Sequence, residues 1–485
     1  MVSARRPAPV RAGSIREQHG RLVSVADAAL PRERPRVVER RGRLVLTRAK
    51  SKAPGVSVEA PTPTSSAAVW EVVGGGQAAL IGLVVISMLI PAAQNVGSLR
   101  LTPSLILLTI ATVPMIGLWL GGRAGRFILA DWLMLAYCLW ATLALVAASG
   151  IVEALQPAGV VFLQTFSAYL AGRLLIRGPA AFKLLFRLAA IAAMVVVPAL
   201  LVETLTGVKV MLKIGSLFGS ALPEIIKEKR LGLVRAQGAF EHPILMGVYY
   251  ATLLGPSYYV FHKNRPTIFG IISSIIVIMC AICSVSTGAL LSFNVQLALM
   301  AWSRLLRVVS NRWRLLTILL ILAYLGLDMV TTRSPFHTFV RYATFDFNAS
   351  YNRILIWQYG SAEAIRHPFF GIGLGDWKRP EFMSNSMDNF WLVTAVRYGM
   401  PALAILVCSI IAVLARAGRI DYEDGRLTLM RRGITFGLVA TMIAICSVHL
   451  WNATYTWLIF LIGSAAWLGD ARWGRAKANG KSRGF

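Results

Sequence analysis

Twelve stretches of this chain stay apolar for about 20 residues at a time, the length a helix needs to cross the hydrocarbon core of a bilayer. They lie near 76–95, 101–120, 128–149, 158–176, 184–204, 243–261, 267–284, 288–304, 314–330, 390–415, 433–450 and 455–469. Composition agrees: of 485 residues 56% are apolar and 15% charged, with a mean hydropathy of +0.62. A soluble domain carries roughly a quarter charged residues, so a water-soluble globule is disfavoured. The expected fold is an all-α polytopic membrane protein with about 12 transmembrane helices.

Charge sets the partners and the orientation. Fifty Lys and Arg against 22 Asp and Glu give a net +28, which suggests either nucleic acid or anionic lipid. The basic residues sit between the apolar runs, which favours membrane lipids and argues against nucleic acid. With the N-terminus in the cytoplasm, the five inner loops (121–127, 173–187, 262–266, 304–314, 416–432) hold 17 Lys and Arg, while the short outer loops hold only Arg100. By the positive-inside rule both termini are cytoplasmic, and two long loops, near 205–242 and 331–389, face outward. The second is a large, late extracytoplasmic loop.

Three regions follow: a tail over 1–69, a transmembrane domain over 70–469, and a basic cytoplasmic tail over 470–485. The first tail has 14 basic and five acidic residues and no sustained periodicity. It cannot bury enough apolar surface to offset its ordering entropy, so it is expected to be disordered and drawn to anionic head groups. It lacks the layout of a secretory signal, although an Arg-rich, acid-poor start also resembles an organelle transit peptide.

Several motifs carry little. All five cysteines (Cys138, Cys280, Cys283, Cys408, Cys446) fall in expected spans, where Cys280 and Cys283 read as packing rather than a redox pair. No metal-ligand spacing is visible among the histidines, and neither metal nor cofactor is expected. Gly371-Ile-Gly373-Leu-Gly375 lacks the strand–turn–helix context of a nucleotide loop and reads as a turn. Asn452-Ala-Thr454 matches a glycosylation sequon, to which nothing is assigned.

The polar residues concentrate in the outer loops rather than at mid-membrane, which favours chemistry at the outer face over a transport path. The first loop ends in Arg235-Ala-Gln-Gly238-Ala-Phe240-Glu241-His242-Pro243. Pro243 suits the first turn of a helix, and His242 before it is biased to extended backbone. Glu241 and His242 are substrate-binding candidates or simply the solvated turn of that helix, and Arg235 contacts either substrate or a head group. In the second loop, residues 350–366 read as a partly apolar helix begun by Ser350 and ended by His367 before Pro368. Arg353 and Trp357 share one face of it. Arg366, His367, Trp377, Lys378 and Arg379 follow, a mixture suited to sugar rings and phosphates or to an interfacial aromatic belt. Asp388 precedes the tenth span, where it can act as a base or as the helix N-cap. Arg397 lies nine residues further, about 13 Å deeper on the opposite face, and is expected to point into the bundle towards a partner or a phosphate.

In this order the blocks resemble the O-antigen ligase and polymerase superfamily of bacterial envelope glycan enzymes. The resemblance rests on Arg235…Gly238-x-Phe240-x-His242-Pro243, on Arg353-x-x-x-Trp357 with His367-Pro368-x-x-Gly371-x-Gly373, and on Asp388-Asn389 with Gly399 beyond. Ser286-Thr287-Gly288 fits the family's short polar turn between spans seven and eight. What the resemblance implies is transfer of a glycan from a polyprenyl-diphosphate carrier to an acceptor hydroxyl, at the outer face of the bacterial inner membrane. Arg235 and Arg353 would clamp the departing diphosphate, which paired guanidiniums can do without a metal. Asp388 would take the acceptor proton, where ligases of the family carry His before Asn; that departure points to a polymerase of a surface or exopolysaccharide. A ligase to a lipid or protein acceptor, an exporter or flippase of the same glycan, and a non-catalytic partner of other polysaccharide-assembly proteins are the alternatives. A reporter active only outside the membrane, fused after Phe345, is expected to be active; a silent fusion overturns this topology.

Overall fold

The computed structural model describes residues 72–476 except Ser98, 227–228, 263–264 and 331–346, and a short antiparallel pair near the N-terminus. That pair, β1 (Val38–Arg40) and β2 (Arg43–Val45), sets Val38 opposite Val45 and belongs to a separate unit, Met1–Thr62. The remainder of the expected tail over 1–69 lies outside the described residues, as do 477–485 and the part of the late loop that contains Phe345.

The protein is mostly helical, at 71% of residues, and seven helices are long and apolar enough to cross a membrane. These are α2 (Pro103–Leu120), α3 (Leu129–Ser149), α4 (Ile151–Leu175), α5 (Pro179–Thr206), α10 (Arg312–Val330), α12 (Phe390–Gly418) and α13 (Gly425–Ala444). Between and around them run α1 (Gly75–Ser87), α6 (Val210–Gly215), α7 (Pro243–Tyr259), α8 (Ile268–Ile282), α9 (Thr287–Leu305), α11 (Phe347–Arg366) and α14 (Asn452–Ala465). Every one of the twelve expected segments therefore falls on a helix, but not with the expected length. The run 76–95 is the clearest departure: α1 stops at Ser87, and beyond Pro91, which has no N–H to continue a helix, the chain becomes strand β3 (Ala92–Val96). Strand β3 is flanked by β4 (Leu99–Leu101) on one side and β5 (Ser220–Ala221) on the other, both antiparallel.

Local chemistry sets the helix starts. Thr102 accepts from Leu105 N–H ahead of Pro103, Thr267 accepts from Gly270 N–H, and Asp424 accepts from Arg426 N–H, each satisfying an amide with no partner in its helix. Helices α4 and α14 cross at glycines: a Cβ on Gly463 would lie 2.1 Å from the Tyr169 carbonyl oxygen, so only glycine permits the approach.

The connections gather at two ends. At one end Arg173, buried, grips Asp131 through Nε (3.0 Å) and Nη2 (3.1 Å), while the Tyr169 hydroxyl donates to the same carboxylate at 2.6 Å. This is a satisfied buried ion pair that locks α3 to α4. Strands β6 (Ile420–Asp421) and β7 (Arg475–Ala476) pair at that end too. The opposite end carries the loops 207–242, 283–286, 367–389 and 445–451.

Helix α12 is broken in a way that organises this second end. Gly399 has φ +83°, outside the helical range, and Pro401 follows with no N–H to give. The carbonyls of Val396 and Arg397 consequently lose their partners within the helix. Ile372 N–H donates to the first (2.8 Å) and Gly373 N–H to the second (3.0 Å), while Met400 N–H turns to Pro368 O (2.7 Å). The glycine run is thus a turn, as expected, with positive φ at Gly371 and Gly373. A Cβ at Gly399 would lie 1.9 Å from the Phe369 carbonyl oxygen. Gly399→Ala is expected to lower stability by about 2 kcal/mol or more, from strain plus clash, whereas Gly418→Ala, which meets nothing within 4 Å, leaves the melting temperature unchanged; thermal unfolding in detergent measures both.

Candidate functional site

Arg235 is the centre of the second end. It is only 6% exposed, in the loop that leads from α6 to α7. Its backbone is fixed by Ala236 N–H donating to Cys283 O at 2.9 Å. The flanking residues are held by a buried carboxylate at the end of α5. Glu203 accepts Gln237 N–H (2.6 Å) on Oε1 and Gly238 N–H (3.2 Å) on Oε2, and pairs with Lys209 Nζ at 2.9 Å. Lys209 in turn donates to the Arg235 carbonyl at 3.4 Å. Glu203 holds the fold of this loop.

The turn between α8 and α9 receives the guanidiniums. Arg235 Nε donates to Ser284 O (3.3 Å) and Arg230 Nη1 to Val285 O (3.5 Å), while Arg353 Nε on α11 donates to Ser447 O (3.3 Å). Arg230 and Arg353 both lie within electrostatic reach of Arg235. Burial, helped by the positive charges of Arg230 and Arg353, pulls the Arg235 guanidinium down to about 10, against the pull of the Asp388 carboxylate. Arg235 therefore remains charged at neutral pH, and its buried Nη2 has no hydrogen-bond partner. A buried cationic donor without an acceptor is unusual and suits an anion.

Asp388 is half-buried and accepts from the Ser386 hydroxyl at 2.8 Å. It is not the helix cap: that is Asn389, whose side-chain oxygen accepts Leu392 N–H at 3.0 Å. The helix begins one residue later than the cap reading requires, which leaves the Asp388 carboxylate to the site.

His242 is in extended backbone as expected, and it also caps α7, with Nδ1 accepting Ile244 N–H at 3.1 Å. Glu241 is bound on both oxygens by the Asn452 amide (2.7 and 2.6 Å), and Asn452 accepts from Gln164 at 3.1 Å. It thus ties α7 to α14 and to the π-helical turn of α4, with a cavity of about 20 Å³ beside it, room for one water. Trp357, a turn beyond Arg353 on α11, is 39% exposed.

The remaining candidates lie elsewhere. Arg366 and His367 are tied to buried Glu363 at the far end of α11, about 20 Å along the helix from Arg353. Arg379 closes its own loop, pairing with Asp376 at 2.5 Å and lying over the Trp377 ring, and Lys378 is exposed. Arg397 is exposed, and its charge lies within electrostatic reach of His449.

The loop 445–451 also borders this end. Its carbonyls at Ile445 and Val448 accept Phe390 N–H, its Ser447 carbonyl holds Arg353, and His449 stacks on Phe390 and Trp451. An apolar run from 433 to 450 gave no sign of a turn there; the helix ends at Ala444. Among the described residues no three His, Cys, Asp or Glu side chains converge as metal ligands. No family model matches the chain, and no curated protein matches it.

Glu203→Gln is expected to cost about 3 kcal/mol by leaving Lys209 buried and unpaired, with faster proteolysis between α5 and α7; adding Lys209→Met recovers much of the loss. A double-mutant cycle on melting temperature reads this coupling.

Proposed function

We propose that the protein transfers a glycan from a polyprenyl-diphosphate carrier to an acceptor hydroxyl, polymerising repeat units of a surface or exopolysaccharide. The observation that supports this reading is the convergence of Arg230, Arg235 and Arg353 with one carboxylate, Asp388, together with the unpartnered Nη2 of buried Arg235. In the reaction the acceptor oxygen bonds to the anomeric carbon while the bond from that carbon to the diphosphate oxygen breaks. The proton passes from the hydroxyl to the Asp388 carboxylate, and the diphosphate leaves with the electron pair. Guanidiniums fixed on backbone carbonyls are preorganised to meet the charge that develops there.

In this reading the chain crosses a bacterial inner membrane twelve times with both termini in the cytoplasm, and the site opens to the outer face. The seven long apolar helices and the twelve helical segments support the membrane setting. Its partners are membrane lipids, the carrier-linked oligosaccharide and the other proteins of polysaccharide assembly.

Deleting the gene should leave single repeat units on the carrier and remove long chains. Arg353→Ala and Arg235→Ala should each lower turnover about 100-fold while the protein still inserts, and Lys at either position should restore only part, since an ammonium cannot bind bidentately. Long chains that build up on the carrier but reach no acceptor would make the protein a ligase. An unchanged glycan profile in the deletion strain overturns glycosyl transfer altogether.

A further inference from the structure

The Arg235 site accounts for a leaving group but not for the sugar that attacks it, and a second set of side chains stands beside it. His449 is held by rings: Phe390 lies 6.3 Å away at an interplanar angle of 22°, and Trp451 5.7 Å away at 29°. Trp451 continues to His242, 6.1 Å further. Phe390 follows directly on Asp388 and Asn389, and the 445–451 loop also carries the Ser447 carbonyl that holds Arg353. The row Phe390, His449, Trp451, His242 is thus tied by the chain to the segment of the proposed base and through Ser447 to Arg353 of the proposed anion clamp.

Neither nitrogen of His449 makes a hydrogen bond within the described residues, and Nδ1 is buried. Buried polar atoms are nearly always paired, and a phenylalanine would fill a purely apolar slot at no desolvation cost. An imidazole kept there without a partner suits a ligand that brings one. Burial, with the charge of Arg397 nearby, drives the ring down to about 3, so it stays neutral and takes up protons poorly. A neutral imidazole offers one donor and one acceptor, the pair that a sugar hydroxyl complements. Flanking rings add the flat apolar faces on which the C–H side of a pyranose packs.

We infer that His449, between Phe390 and Trp451, forms an acceptor subsite that binds an uncharged sugar ring through a hydroxyl hydrogen-bonded to the imidazole. This rests on the glycosyl-transfer reading for the sugar's role as acceptor. His449 is a binding residue in it, and the acceptor proton still goes to Asp388.

The test uses the full-length protein in lipid nanodiscs and two readouts. One is binding of the carrier-free oligosaccharide, released by mild acid from the host's polyprenyl lipid, followed by tryptophan fluorescence. The other is transfer from the intact carrier-linked glycan. His449→Ala and His449→Phe should weaken oligosaccharide binding about tenfold, and His449→Gln, which keeps a neutral donor and acceptor, should hold it within about threefold. The subsite is overturned if His449→Phe binds as tightly as the wild type, or if the wild type does not bind the oligosaccharide. Binding that depends on His449 in a protein that transfers nothing supports the subsite and removes the transfer reading. Transfer with indifferent His449 variants does the reverse.

Discussion

A helix that breaks inside an apolar layer exposes carbonyl groups that lipid cannot satisfy, and one end of this protein is arranged around such a break. At Gly399 the chain leaves helical geometry, and Pro401 has no N–H for the Arg397 carbonyl. The two stranded acceptors are filled by Ile372 and Gly373 from the preceding loop. The start of the same helix is held by the carbonyls of Ile445 and Val448. Two loops far apart in sequence, 367–389 and 445–451, are therefore fastened to one helix by backbone hydrogen bonds. Asp388 and His449 keep their places because of it.

The two ends of the bundle treat buried charge differently. Asp131, Arg173 and Tyr169 satisfy one another completely, so that cluster holds helices together and has nothing to offer a ligand. At the opposite end Glu203 and Lys209 are equally well paired, but their surplus hydrogen bonds go to the backbone at Gln237, Gly238 and Arg235. A neutralised pair thereby presents a charge that is not neutralised. Among the described residues Arg235 feels the positive charges of Arg230 and Arg353 against the Asp388 carboxylate, and a buried guanidinium with an unpaired nitrogen suits an anion or water.

The candidate site was partly legible. Arg235, Arg353 and Asp388 stood out through the resemblance to the O-antigen ligase and polymerase pattern, and Arg353 and Asp388 both lie within electrostatic reach of Arg235. Arg366, His367, Lys378 and Arg379 looked equivalent in sequence, yet Glu363 at the end of α11 absorbs the first two and Asp376 the last. Pairing three or four residues away is a matter of local conformation, which spacing alone did not reveal in so polar a segment. His449 was invisible for the opposite reason: it stood in an apolar run that looked like the end of a span.

The sequence by itself determined that this chain builds helices for an apolar environment and where most of them lie, because length and hydropathy are properties of contiguous residues. It also determined local boundaries at His242-Pro243 and at His367-Pro368, since proline acts on its immediate neighbours. Only the tertiary structure decided which charges meet. Arg235 reaches Ser284, Arg353 reaches Ser447, and Phe390 meets His449 across separations of 49, 94 and 59 residues. Contacts of that span are fixed by helix packing and by backbone groups that must find partners, and neither leaves a periodic trace in the chain.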